Sequence, residues 1–284
     1  MTVVLALTSA ILYGVSDFVG GVGSRRLSVW PVGLLACVGA LAGSLLIALT
    51  QPGDPTASDL RWGLLAGLGS GSGTAFLYRG LAAGRMGVVA PVSAVGAVLV
   101  PLAVGVLAGE RPDVIAWVGI AVALPGIWLV SRDEGPVDGS ADTAGRAGLV
   151  EGVVDGAVAG IGFGVLFAAL GQVPHTAGYW PLVANQATSV LAMAVAAVAL
   201  GGNPVPRRLA EAVGLVPGVL ATLAVLFFIL ATHHGLLSLA AVITSLYPAF
   251  TVLLAILVLR ERVHRAQAVG LVLCAVTIVC VSAA

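Results

Sequence analysis

The sequence predicts an all-α integral membrane protein, with ten transmembrane helices arranged as two inverted five-helix repeats. Three observations carry that reading. Of the 284 residues, 59% are hydrophobic and only 9% charged, whereas a soluble domain needs about a quarter of its residues charged to cover its surface. Gly84, Glu110-Arg111 and Gly119 recur as Gly235, Glu261-Arg262 and Gly270, displaced each time by 151 residues (235−84, 261−110, 270−119). The only long polar stretch, 131–147, carries Arg132, Asp133, Glu134, Asp138, Asp142 and Arg146 and divides the chain in two. Internal duplication of this kind is a structural habit of secondary transporters.

A bilayer core needs roughly 20 apolar residues per helical crossing. Ten segments qualify: 3–22, 30–49, 62–83, 88–108, 114–130, 149–170, 179–200, 213–232, 239–259 and 266–281. Lipid offers the backbone no hydrogen-bond partners, so spans this apolar are helices or a closed barrel. Alternation with period two is absent, which rejects the barrel. The chain therefore divides into a first repeat over 1–130, a polar linker over 131–147 and a second repeat over 148–284. Five is odd, so the second repeat enters the membrane in the opposite sense to the first.

Charge placement gives orientation. Loops following odd-numbered spans, with their flanks, hold Arg25, Arg26, Arg79, Arg85, Arg132, Arg146, Arg207, Arg208, Arg260, Arg262 and Arg265, whereas the others hold only Arg61 and Arg111. The positive-inside rule makes the arginine-rich side cytoplasmic and puts both termini outside. Thirteen basic residues, all arginine, balance 13 acids, which argues against a nucleic-acid partner. Cys37, Cys274 and Cys280 lie in apolar runs without metal spacing and read as reduced core residues. Neither metal nor cofactor is expected. The N-terminus lacks a basic flank and a small-residue cleavage site, so its first apolar run is expected to be retained.

Glycines fall every fourth residue in two spans, Gly63, Gly67 and Gly71 in the third and Gly152, Gly156, Gly160 and Gly164 in the sixth. Such stripes let helix backbones approach closely in lipid and read as packing faces. Gly69-Ser70-Gly71-Ser72-Gly73 is no phosphate loop, because it lies inside a span with no preceding strand.

Ile11-Leu12-Tyr13-Gly14-Val15-Ser16-Asp17-Phe18, Ser238 through Pro248, Leu259-Arg260-Glu261-Arg262 and Gly109-Glu110-Arg111 together resemble the EamA-type branch of the drug/metabolite transporter superfamily. The resemblance covers nearly the whole chain and concerns the fold far more than the substrate. It implies two inverted EamA repeats around a central cavity, with the fifth and tenth helices set apart. It also implies movement of small metabolites, amino acids or drugs, often outward, by proton coupling or exchange. Many members keep their termini in the cytoplasm; the arginine count here points the other way.

Asp17 lies well inside the first span. A carboxylate in hydrocarbon costs several kcal/mol unless paired, hydrated or protonated, so it should face the interior. It reads as a proton switch or a contact for a substrate amine, against the alternative of a structural ion pair. Arg79 is the expected partner. At about 1.5 Å per residue, Asp17 lies ~21 Å and Arg79 ~25 Å from the starts of two helices that enter from the same side. A static pair would be structural and a breakable one a gate; a snorkelling Arg79 that anchors the cytoplasmic end is an equal alternative. Asn185 and Gln186 sit inside the seventh span, where amides bond neighbouring helices or a polar substrate. Tyr13, Tyr78 and Tyr247 provide either amphipathic cavity walls or ordinary aromatic packing. His233 and His234 close the eighth span and read as hydrated boundary residues rather than proton sensors. Pro91, Pro101, Pro217 and Pro248 are expected to interrupt their helices. The two Glu-Arg pairs read as structural, bracing the 4–5 and 9–10 hairpins.

No HExxH, GxSxG or clustered catalytic set is present, so no enzyme is expected. The expected function is alternating-access transport of a small metabolite, amino acid or drug across the cell membrane, as an exporter. A sugar uptake permease, a lipid-carrier flippase and a non-transporting accessory subunit are the alternatives. Expected partners are the small-molecule substrate and the lipid bilayer, with proton coupling and a homodimer left open.

The arginine count makes a topological prediction. A cysteine introduced at Asn203, beside Arg207-Arg208, should resist membrane-impermeant thiol reagents in intact cells, while one at Asp54 should react. Ready labelling at 203 with a silent 54 would reverse the orientation.

Overall fold

A computed structural model describes residues 1–24, 27–50, 53–82, 86–131, 143–259 and 265–283. Every regular element among them is helical: α1 (Thr2–Ser24), α2 (Val29–Thr50), α3 (Ala57–Ala82), α4 (Met86–Leu107), α5 (Val114–Ser131), α6 (Thr143–Leu170), α7 (Trp180–Ala199), α8 (Leu215–Thr232), α9 (Leu237–Thr244), α10 (Tyr247–Leu259) and α11 (Arg265–Ala283). Short 3-10 turns at His175–Ala177 and Leu209–Gly214 precede α7 and α8. Among the described residues, six stretches are long and apolar enough to cross a membrane: Thr2–Gly20, Val29–Thr50, Val150–Leu170, Trp180–Ala199, Leu209–Thr232 and Leu237–Val258. Val92–Leu107, Val114–Val130 and Arg265–Val281 are apolar but shorter. Gly84, the Glu261-Arg262 pair and Arg25, Arg26, Arg85, Arg132 and Arg260 lie outside the described residues.

Local chemistry sets the helix ends. α3 begins at Ala57, ahead of its apolar run, because Thr56 and Asp59 cap it reciprocally: the Thr56 N–H donates to the Asp59 carboxylate at 2.9 Å and the Asp59 N–H donates to the Thr56 hydroxyl at 3.3 Å. Asp113 accepts the Ala116 N–H at 2.9 Å and starts α5. Gly109, at φ +99°, takes the left-handed conformation that turns the chain after α4. α6 starts at Thr143, inside the segment read as linker.

The proline expectation needs correction. α4 runs through Pro91 and Pro101 unbroken, and Pro217 falls in the first turn of α8, where no N–H is required. Only Pro248 accompanies a break. It has no N–H to return to the Thr244 carbonyl, and the ninth span divides into α9 and α10 at Ser245-Leu246.

Contact register fixes helix directions. α1 runs antiparallel to α8, with the Ser9 hydroxyl donating to the Ala224 carbonyl at 2.7 Å and Ser16 to that of Pro217 at 2.9 Å. α8 is parallel to α2, since Gly214, Gly218 and Thr222 meet Val32, Ala36 and Ala40. α2 is antiparallel to α7, where Gly33 meets Met193 and Cys37 meets Ser189. α7 is parallel to α3, with Gly63, Gly67 and Gly71 on Pro181, Asn185 and Ser189. α3 is antiparallel to α6, where Gly69 meets Gly162 and Gly73 meets Ala159. Followed through, these relations point α6 opposite to α1. The two repeats are inverted.

The contacts themselves repeat. Positions 63, 67 and 71 of α3 lie on α7 as positions 214, 218 and 222 of α8 lie on α2, again 151 apart (214−63, 218−67, 222−71). Gly164 of α6 meets Gly96 and Val100 of α4, and Gly14 of α1 meets Tyr247 and Thr251 of α10, the same displacement (247−96, 251−100). Each of these interfaces joins one repeat to the other. α5 and α11 stand to the side and pack chiefly on one another, Gly119 against Thr277 and Gly270 against Gly126.

Bare backbones make the α4–α6 contact. A Cβ on Gly160 would stand 2.8 Å from the Ser93 carbonyl oxygen and 2.9 Å from Gly96 Cα. Gly160→Leu should therefore destabilise the detergent-solubilised protein by ~1–3 kcal/mol, the usual cost of overpacking. Ile161→Leu, at a position 56% exposed on the same helix, should leave the melting temperature unchanged. Equal melting temperatures would remove the close-packing argument.

Candidate functional site

The outward face of α1 is marked by Val4 and Ile11, 64% and 44% exposed. At about 100° per residue, Tyr13 and Asp17 share a different face, one turn apart. That face looks inward. The Tyr13 ring lies 6.1 Å from Phe167 of α6, edge-on, and 5.9 Å from Tyr247 of α10. Gly14 makes this possible, because its missing side chain lets α10 seat Tyr247 directly against α1.

Asp17 is exposed, yet Tyr13, Tyr247 and Tyr78 of α3 all lie within its electrostatic reach. An exposed carboxylate thus has phenols from three helices, α1, α3 and α10, for neighbours. Tyr78 is held by packing on Gly33 and near Cys37 and Met193. The break between α9 and α10 places Tyr247 at the first position of α10.

Toward the N-terminal end of α1 the bundle is tightly packed. Leu5, Ala6, Leu166, Phe167, Leu170, Phe228, Leu237 and Ala240 form a buried cluster around the N-terminal half of α1. The Phe167 and Phe228 rings, 4.7 Å apart, belong to this cluster.

At that end three histidines meet. The rings of His175 and His233 are 3.5 Å apart, and His234 lies 6.2 Å from His175. The His233 Nε2 sits 3.0 Å from the Val173 carbonyl. Burial, the largest influence, pushes the His233 imidazole below the ordinary histidine range, and the neighbouring His175 and His234 act in the same sense. His234 is an exposed boundary residue as expected; His233 is half-buried and bonded, and the participation of His175 was not anticipated.

Arg79 does not pair with Asp17. Its guanidinium binds Asp155 of α6, with Nε donating at 2.8 Å to Oδ1 and Nη2 donating to the same oxygen. The same side chain stacks over Phe76 at 4.5 Å. Asp155 is fully buried. It was overlooked although it lies only a few residues inside the sixth span, at the arginine-rich end where Arg79 also lies.

Asn185 and Gln186 are both buried in α7. Neither amide atom of Asn185 has a hydrogen-bond partner, and its backbone carries Gly67. One turn further, the Ser189 hydroxyl approaches Cys37 Sγ at 3.5 Å and Ser70 Oγ at 3.4 Å. These residues line the α2–α3–α7 interface, so the seven candidates do not form one cluster. Asp17, Tyr13, Tyr78 and Tyr247 converge, whereas Arg79 and Asn185 are engaged between helices.

Glu110 is structural, though not as a brace of its own hairpin. Its carboxylate accepts the Leu237 N–H at 2.6 Å and the Ser238 N–H at 3.0 Å, capping α9 of the other repeat.

No curated protein matches the chain. Sixteen solved chains do. One of them, described only as a crystal structure of a protein, is 18% identical with a TM-score of 0.72, covering 98% of this chain and 95% of its own. That likeness concerns the fold. The sequence model of the EamA-like transporter family matches residues 1–132 and again 151–283. With both repeats matched, the chain belongs to the EamA-like transporter family, and is a multi-pass membrane transporter of the drug/metabolite transporter superfamily.

Proposed function

We propose that the protein crosses the cell membrane ten times, with α9 and α10 sharing one crossing, and exports a small metabolite, amino acid or drug by alternating access with proton coupling at Asp17. The observation that carries this reading is an exposed Asp17 on the inward face of α1, one turn from the paired Tyr13 and Tyr247 rings and beyond the buried cluster around the N-terminal half of the helix. By the positive-inside rule the C-terminal end of α1, nearer to Asp17, faces the cytoplasm, where an exporter loads. The inverted repeat supplies the second state, since the α3–α7 and α4–α6 contacts between the repeats have counterparts in α8–α2 and α10–α1. Proton and substrate need only share Asp17 for their movements to be linked.

The tyrosines favour a second reading, a sugar permease, because sugars stack on aromatic platforms. That reading leaves the carboxylate without a task.

Asp17→Asn keeps shape and hydrogen bonding but cannot gain or lose a proton. A thermal-shift screen of purified protein supplies a ligand, since binding to the folded state raises its apparent stability. In proteoliposomes the variant should then retain substrate exchange while losing flux driven by a pH gradient, and the parent's pH dependence should vanish. Gradient-driven flux at the parent's rate in Asp17→Asn would reduce Asp17 to a structural residue.

Arg79 should behave differently. Arg79→Ala strands the buried Asp155 and should lower the melting temperature. Asp155→Asn in the same chain should recover part of the loss, giving a coupling energy of ~0.5–3 kcal/mol in a double-mutant cycle. Additive losses would mean that the pair does not tie α3 to α6.

A further inference from the structure

We propose that a cavity at the arginine-rich membrane boundary, between the start of α2 and the loop that leads into α8, binds a phosphate group, and that an anionic phospholipid of the facing leaflet supplies it. The site lies apart from Asp17 and does not depend on what the protein transports.

The cavity holds about 370 Å³ and is lined by Ser28 from the start of α2 and by Asn203, Val205, Arg207, Arg208 and Glu211 from the connection between α7 and α8. Its chemistry follows from how that loop satisfies its own backbone. Pro204 and Pro206 have no N–H to place and hold their φ angles fixed. Asn203 Oδ1 accepts the Val205 N–H at 2.9 Å. Glu211 is buried, and its Oε2 accepts the Arg207 and Arg208 N–H groups at 2.7 and 3.1 Å. These side-chain acceptors are therefore engaged by backbone. The groups left to meet a ligand are donors: the Asn203 amide nitrogen, the Ser28 hydroxyl and two guanidiniums. Among the described residues neither Arg207 nor Arg208 is held in an ion pair. Two guanidiniums against one carboxylate leave the cavity net positive, and the guanidinium fork matches phosphate oxygens.

Position selects the source of the phosphate. One membrane-length apolar stretch, Leu209–Thr232, begins directly after Arg208, and another, Val29–Thr50, directly after Ser28. The donors thus lie at headgroup depth. Leu209 and Val205, 94% and 59% exposed, flank the arginines. Apolar side chains this bare at the end of a span suit acyl chains. The Trp30 indole lies against Gly202 beside the cavity, an amphipathic ring of the kind that settles at this level. A soluble phosphate would gain nothing from these apolar neighbours, whereas a phospholipid would.

The purified full-length protein in a maltoside detergent at low ionic strength is titrated with dioctanoyl phosphatidylglycerol, dioctanoyl phosphatidylcholine or glycerol phosphate. Only phosphatidylglycerol should raise the melting temperature. Arg207→Gln combined with Arg208→Gln should weaken its binding by at least about tenfold. Asn203→Asp keeps the acceptor for the Val205 N–H but exchanges the amide donor for a negative charge, and should weaken binding too. Arg265→Gln removes the same charge from α11 at the same membrane face, outside the cavity, and should bind as the parent does. All four positions are exposed, so each variant should fold.

An equal shift with phosphatidylcholine, no shift with any probe, or unchanged binding in the arginine double variant or in Asn203→Asp would overturn the proposal. So would an equal loss in Arg265→Gln, which would mean that anionic lipid is drawn to the basic face as a whole. An equal shift with glycerol phosphate would overturn the phospholipid as the source.

Discussion

Close approach of bare backbones between the repeats is the constraint on which the rest of this structure depends. In lipid the hydrophobic effect does not press helices together, so attraction must come from short-range packing that only small residues allow. Gly63 and Gly67 of α3 meet α7, Gly214 and Gly218 of α8 meet α2, and Gly156, Gly160 and Gly164 of α6 meet α4. These contacts set the rotation of each helix about its axis. Rotation in turn decides that Tyr13 and Asp17 face inward while Val4 and Ile11 face lipid. The inward placement of Tyr13 and Asp17 is a by-product of where the glycines lie.

Charges inside the bundle divide by the company they keep. Asp155 is buried and neutralised by Arg79, and Glu110 is spent on the exposed N–H groups that begin α9. Both join one repeat to the other, and both would be costly to disturb. Asp17 alone of these three acids is accessible, with phenols for neighbours. A polar group committed to structure and one held ready for a ligand thus differ in exposure more than in depth.

Much of the helical plan was legible because span length in lipid is dictated by bilayer thickness, and the ten apolar segments coincide with helices to within a few residues at most ends. The start of α3 was not, since a Thr56–Asp59 cap extends the helix beyond its apolar run. The break at Ser245-Leu246 was legible only in part. Pro248 announces it, but Pro91 and Pro101 carry the same signal inside an unbroken α4, so a proline alone does not decide whether a helix divides. At the site, the inward Asp17 followed from the cost of an exposed charge in hydrocarbon. Its tyrosine neighbours come from three helices, α1, α3 and α10, a grouping that no spacing along the chain records. The Arg79–Asp155 pair shows the reverse: both residues were visible near one membrane face, and the partner on α6 was passed over for the one on α1. Asn185, buried with an unpartnered amide, has no sequence signature that separates it from Gln186 beside it.

The interleaving of the repeats has a consequence for how the chain is made. α1 packs on α8, α9 and α10, and α4 on α6 and α9, while α3 lies between α6 and α7. The first half of the protein is synthesised before any of these partners exists. Its helices can be inserted one by one as apolar spans, but they cannot take their final positions until the second half has followed them into the bilayer. During that interval the glycine faces of α3 and the Ser9 and Ser16 hydroxyls of α1 must be covered by lipid, by one another or by the insertion machinery. Folding of this transporter is therefore a late, whole-chain event, even though its blueprint is a half-length unit used twice.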